Sequence, residues 1–306
     1  EFALNWKDNV NKNFSYNVGV NFGLSDNMVK KYPDPAILHP SNNLTQAGQS
    51  TFFPSWGFKT WKGTSTGDGI LRTDQDVANY WSYLTQNAAA VGGQPNYLGI
   101  SNVADMRKGM LAYQDAAGQF NSTDGTQAGP NGQIQKNEDY VKLVNKNRSY
   151  GFTTNLGGRY KSFFFKTQIA TSWGGLRAID VVKQGTGSTH NMWARETFWN
   201  DMYSDDNVNG RYPNLNSTGQ DYLTVPSDFW QLDTFRCTVR NLTLGFDLPK
   251  DLLDKIKISK WSIGVTGNNL WDLYNPYPDH YRNMYDTSSE NYPTLRTWAV
   301  TFNITF

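Results

Sequence analysis

Few residues of this chain are placed to do covalent chemistry. Serine, histidine and aspartate all occur, but no serine sits in the strand–turn–helix setting of a nucleophile elbow. Glu138-Asp139 and Asp205-Asp206 are adjacent carboxylates, and a carboxylate pair is what glycoside hydrolysis needs. Side by side in polar loops, they read instead as solvated charges. Gly157-Gly158 lacks the strand-to-helix context of a phosphate loop. The three histidines (His39, His190, His280) are far apart and Cys237 is the one cysteine. Neither a zinc cluster nor an internal disulfide is expected. Non-covalent binding is better served. Trp193, Trp199, Tyr203, Tyr281 and Tyr285, with Arg195 and Arg282, fall in polar loops. Aromatic faces with polar edges suit sugar rings and peptides alike; packing within the loops is the other reading of each. The expected substrate-binding set is Trp193, Trp199, Tyr203, Tyr281 and Arg282, with no catalytic and no metal-ligating residue.

The elements that must hold these loops are strands. From Trp298 to Phe306 every even position is large and apolar: Trp298, Val300, Phe302, Ile304, Phe306. The residues between are small or polar, and a period of two means a strand with one apolar and one polar face. Phe14, Tyr16, Val18, Val20 and Phe22 repeat the pattern. These runs exceed the usual five or six residues of a soluble strand and match the roughly 9–11 of a tilted membrane strand. The expected lipid-facing set is Phe14, Tyr16, Val18, Val20, Phe22, Trp298, Val300, Phe302 and Ile304.

Further strands are predicted over Glu1–Trp6, Tyr150–Tyr160, Phe163–Trp173, Phe235–Leu248 and Ile258–Leu270, seven in all. A slip in apolar phase within Phe235–Leu248 predicts a bulge near Arg240-Asn241. Lys7–Asn13 and Pro249–Lys257 read as short turns. Thr73 is predicted to cap a helix over Asp74–Leu84. Trp56–Gly63 with Met110–Asp115 suggests an added hairpin, and Asn191–Asp201 a short helix. Short connections alternate with long ones, at about 25–149, 174–234 and 271–293, as periplasmic turns alternate with external loops in outer-membrane barrels. Seven strands leave open edges that lipid cannot satisfy, and the chain opens on Phe2, Leu4 and Trp6 already in phase. We therefore expect residues 1–306 to be one piece of a longer wall.

Composition agrees. The net charge of the 306 residues is +1, so no electrostatic footprint for nucleic acid exists. Charged residues make up 18% and mean hydropathy is −0.63. No run of about 18 apolar residues offers a helical span, which leaves a barrel open, because there only alternate residues meet lipid. Aromatics reach 15%, enough for interfacial girdles or stacking surfaces.

Five stretches carry a resemblance. They are Ser227-Asp228-Phe229-Trp230-Gln231-Leu232-Asp233; Arg240-Asn241-Leu242-Thr243-Leu244-Gly245-Phe246-Asp247-Leu248-Pro249; Thr266-Gly267-Asn268-Asn269-Leu270-Trp271; Asn275-Pro276-Tyr277-Pro278-Asp279; and Tyr292-Pro293-Thr294-Leu295-Arg296-Thr297-Trp298. In this order, followed by a terminal Phe306, the chain resembles the C-terminal part of SusC/RagA-type TonB-dependent outer-membrane transporters of Bacteroidota. The resemblance implies an all-β fold, a segment of a barrel of about 22 antiparallel strands with long extracellular loops, the plug lying outside this sequence. It implies import of glycans or oligopeptides with no enzymatic step. Its implied partners are a SusD-like lipoprotein lid, the TonB–ExbB–ExbD motor reached through the N-terminal part, outer-membrane lipid, and a second transporter–lid pair. Phe306 would be the barrel-assembly signal. No cofactor is implied beyond a calcium ion. The family's Asp-x-Asn-Gly-Asp-Gly turn, which resembles a calcium loop, is stretched here into Tyr113–Gly118, Asp124-Gly125 and Gly129–Ile134. A soluble carbohydrate-binding β-protein and a small autonomous porin are the alternatives.

Overall fold

The apolar–polar alternation produces seven strands, and in the computed structural model of the chain they form one antiparallel sheet. The structure describes residues 1–33, 37–136, 138–178, 201–214, 225–255, 257–276 and 295–306. The strands are β1 (Phe2–Asn11), β2 (Phe14–Gly23), β3 (Tyr150–Tyr160), β4 (Phe163–Trp173), β5 (Arg236–Asp247), β6 (Lys260–Tyr274) and β7 (Thr297–Thr305). Their order in the sheet is their order in the sequence. Such a meander arises when every connection simply reverses the chain.

Three boundaries differ from the sequence reading. Lys7–Asn13 is mostly strand, because Lys7 and Asp8 pair with Asn17 and Tyr16. Polar side chains do not end a strand whose backbone groups are satisfied by a neighbour. The turn shrinks to Lys12-Asn13, where the Asn11 side chain accepts from Asn13 N and Phe14 N, both at 2.9 Å. At the other end of the sheet, β6 runs on to Tyr274 rather than stopping at Leu270, since Trp271, Asp272 and Tyr274 pair with Val239, Thr238 and Cys237. The stretch after Pro249 is a short helix, Lys250–Lys255, with Leu253 buried. Proline is at home where a helix begins, since its missing N–H is one the first turn would leave unpaired.

The bulge is where the phase slip placed it. The register of β5 shifts between Val239 and Asn241 against both β4 and β6. Against β4 the extra residue is Arg240, while β6 places two residues, Asn269 and Leu270, opposite it; the bulge lets both halves of β5 keep their apolar side chains on one face. Between β3 and β4 a two-residue turn puts Lys161 at φ 52°, as the tightest hairpins require.

The described residues divide into two compact units. The sheet unit is Glu1–Asp26, Arg148–Gly175 and Asp233–Phe306. The loop unit, Asn27–Asn147 and Leu176–Leu232, is folded from two of the long connections and has its own core. Phe58, Ile70, Leu71, Tyr80, Leu84, Tyr97, Tyr113 and Trp230 are fully buried in it. Its helix spans Asp74–Ala90, with Thr73 and Asp76 making a reciprocal capping box. It outruns the expected Asp74–Leu84 because Ala88–Ala90 favour helix, and it ends where Gly92 takes φ 69°.

The hairpin expected from Trp56–Gly63 and Met110–Asp115 is half formed. Thr60 bridges Tyr113, with Trp61 N donating to Ala112 O at 2.9 Å. The outer residues Ser55–Gly57 pair instead with Val141–Val144. Turns occur within Asp205–Pro213, with Gly210 N donating to Asn207 O at 3.0 Å.

Candidate membrane face and loop cavity

The registers align one apolar face across the sheet. Tyr16, Gly158, Phe165, Leu244, Val265 and Val300 lie opposite one another in turn. So do Tyr160, Phe163, Phe246, Ile263 and Phe302. The other face has a row of uncharged residues, polar except for the glycine: Asn5, Gly19, Asn155, Gln168, Asn241, Asn268 and Thr297. Within it Gln168 Nε2 donates to Asn155 Oδ1 at 3.1 Å.

On the apolar side the aromatics gather at the strand ends. At one end Phe163 packs on Phe246 at 4.8 Å. At the other, Phe22 and Tyr150 stack on Trp173, each at 6.1 Å, and Phe152 meets it edge-on at 5.8 Å. The eleven residues of β4 join the two clusters. At about 3.3 Å per residue and a tilt of about 40°, they rise roughly 25 Å, the height of an apolar band between aromatic girdles. Phe14, Tyr16, Val18, Val20 and Phe22 are half-buried on β2, whereas Trp298, Val300, Phe302 and Ile304 are exposed on β7. Phe306 follows β7 and is 89% exposed. Among the described residues, no helix is long and apolar enough to cross a membrane.

The predicted binding residues fare differently. Trp193, Trp199, Tyr281 and Arg282 lie outside the described residues, as do Arg195, Tyr285 and the helix expected at Asn191–Asp201. Tyr203 is a correction. It is 3% exposed and its hydroxyl donates to Arg72 O at 3.0 Å, so it packs within the loop unit and presents no face to a ligand.

Asp115 of the stretched turn, and Asp139 beyond it, hold backbone. Asp115 accepts from Gly132 N at 2.6 Å, Asn131 N at 3.2 Å and Asn87 Nδ2 at 2.9 Å. Asp139 accepts from Ala116 N and Gln135 N at 2.8 Å and from Ala117 N at 3.2 Å. Burial nevertheless pushes Asp139 up to about 7. Among the described residues no three His, Cys, Asp or Glu side chains are grouped to hold a metal ion. With its oxygens occupied, Asp139 does not work as a pair with Glu138. Asp205 is an exposed partner of Lys108 at 3.4 Å. Gly157-Gly158 lies within β3, and a Cβ on Gly158 would run into Phe165.

Sequence reasoning missed a cavity of about 600 Å³ in the loop unit. Trp56, Tyr140, Asn147, Trp230 and Gln231 are among its lining residues. Trp230 and Gln231 belong to a stretch that carries the family resemblance, and this was the available signal. Asp228 anchors that stretch, accepting from Thr60 N at 2.9 Å. Trp56, Tyr140 and Asn147 are separated by too much sequence to be grouped without a fold.

No protein-family model matches the chain. TonB-dependent receptor P3 of Formosa agariphila is 22% identical to it over 325 aligned positions, covering 100% of the chain and 28% of that receptor. Over its whole length the chain is similar to this TonB-dependent receptor. It spans between a quarter and a third of the length of the receptor it matches. Among solved structures, the RagAB peptide transporter aligns over 89% of the chain and 25% of its own, at 13% identity and a TM-score of 0.47. The same importer in a closed-closed state gives 13% identity and a TM-score of 0.46. One asparagine of the chain's motif stretches has a local explanation. Asn269 sits at φ 54° opposite the Arg240 bulge, a left-handed position that asparagine tolerates better than most residues.

Proposed function

We propose that the chain is part of the wall of an outer-membrane importer, TonB-energised, which takes up glycans or oligopeptides without altering them covalently. The continuous apolar face, with its aromatic ends, carries this reading. Facing water it would be a costly exposed patch; facing lipid it is favourable. The outer strands β1 and β7 leave backbone groups unpaired, and lipid cannot satisfy them. Further strands then complete a barrel, of about 22 by family resemblance, and the polar face lines its lumen. The long connections are its external loops. The relation to a TonB-dependent receptor supports the energy source. A SusD-like lipoprotein lid, TonB–ExbB–ExbD, pairing of transporter–lid units and the choice between glycan and peptide rest on the sequence resemblance. Ligand is captured between lid and loops, and the energised plug lets it pass.

Fractionation of the native cells tests this. The expected result is recovery in the outer membrane, extraction only with detergent, and a folded band on unheated gels that shifts on boiling. Recovery as a water-soluble protein would overturn the reading and favour a carbohydrate-binding β-protein.

A further inference from the structure

The loop-unit cavity has the chemistry of a ligand site. None of the residues lining its 600 Å³ is charged, and the volume lies in the range of small-molecule pockets, roughly 300–1,000 Å³. Trp56 and Tyr140 supply aromatic surface, and the fully buried Trp230 backs the wall. Trp56 is pinned by its edge, with Nε1 donating to Asn43 Oδ1 at 3.1 Å. Two carboxamides are oriented by their oxygens. Gln231 Oε1 accepts from Ser55 Oγ at 3.3 Å, and Asn147 Oδ1 accepts from Leu176 N at 2.9 Å. Each amide is thereby fixed with its NH₂ as the remaining donor. Neither NH₂ group, nor the Tyr140 hydroxyl, has a hydrogen-bond partner among the described residues.

We propose that this cavity binds a neutral saccharide, with Trp56 and Tyr140 supplying aromatic contact to sugar rings and Asn147 and Gln231 donating to ring and hydroxyl oxygens. A sugar combines apolar C–H faces with acceptors around the rim, which matches aromatic surface plus oriented donors. A uronate, a sulfated sugar or a peptide terminus would bring a charge that no lining residue pairs; the ammonium beside the site, Lys142 Nζ, is engaged over the Trp56 ring at 5.4 Å, and burying an unpaired charge is costly. The site deepens the importer reading and rests on it for the ligand's role as cargo; binding itself does not depend on transport.

The test uses the purified full-length protein in detergent. Titration calorimetry is run against neutral gluco-, manno-, xylo- and galacto-oligosaccharides, with oligogalacturonate and tetra-alanine as charged comparators. At least one neutral series should bind, and the comparators should not. Trp56→Ala should weaken binding roughly tenfold or more, and Asn147→Ala and Gln231→Ala about three- to tenfold each. Trp56→Phe, which keeps an aromatic face, should retain more affinity than the alanine variant, and unchanged melting would separate lost contacts from lost fold. Absence of binding by every neutral series, binding indifferent to these substitutions, or a preference for the peptide or uronate would each overturn the site. Binding that persists in cells showing no energised uptake would count against the importer reading and leave the site standing.

Discussion

Trp298 of β7 lies directly across from Gly267 of β6, and the indole covers the place where a side chain would be. A Cβ on Gly267 would come within 2.7 Å of Trp298 Cζ3 and 2.5 Å of Leu270 Cδ2. Gly267→Val should therefore displace the indole or the strand, at a cost of about 1–3 kcal/mol. Gly264, three residues away on the same strand, has no such neighbour; a Cβ there meets nothing closer than 3.7 Å. Gly264→Ala should be close to neutral. The folded fraction on semi-native gels, compared for the two variants, checks the contrast, and equal loss in both would remove this account of the glycine.

The two faces of the sheet should respond oppositely to charge. Leu244 is on the apolar face, in register with Val265, while its neighbour Thr243 is on the polar one, where its hydroxyl meets Thr266 at 2.8 Å. Leu244→Arg should cost about 2–4 kcal/mol if it lies near the bilayer midplane and deplete the protein from the outer membrane. Thr243→Arg should leave assembly nearly intact. Quantitative blotting of outer-membrane fractions reads both.

Asp76 should matter more than its place in a loop suggests. Its carboxylate accepts from Ser65 N, Ser65 Oγ, Arg72 N and Thr73 N at 2.7–3.0 Å. Burial pulls its pKa up, but the donors from Ser65 and Thr73 prevail and hold it below the ordinary value. Its contribution is therefore present above the unfolded-state pKa, near 3.9, and is lost as pH falls through the lower folded value. Asp76→Ala should destabilise the loop unit by about 2 kcal/mol at neutral pH. Limited proteolysis should show faster cleavage around residues 65–76.

Asp139 should give the opposite slope. With its pKa pushed up to about 7 by burial, the folded protein holds a proton that the unfolded chain releases near 3.9. Stability from this group is full below the unfolded value, falls as pH rises, and levels off above about 7. Asp139→Asn should flatten thermal stability of the loop unit between about pH 4 and pH 7. A pH slope unchanged by the substitution would assign the titration to another group.

Strand positions were legible because alternation is a local property. Each face of a wall strand meets one environment, so Phe14 to Phe22 and Trp298 to Ile304 announce themselves. The Arg240 bulge was legible for the same reason, as a break in phase between Val239 and Leu242. Strand ends were less so. Whether Lys7 to Asn11 pair is decided by β2, and whether Trp271 to Tyr274 pair is decided by β5.

The loop unit needed the tertiary structure. Its helix cap was written locally in Thr73 and Asp76, but its core and cavity draw on residues far apart in sequence, such as Trp56, Tyr140 and Gln231. Tyr203 shows the limit from the other side. Sequence alone gave it the profile of an exposed loop aromatic, and burial against Arg72 made it a packing residue. The sequence by itself determined the period and number of the sheet strands, since alternation depends on neighbours one or two residues away. Only the tertiary structure decided which loop aromatics are core and which line a cavity, because burial is a property of long-range contacts.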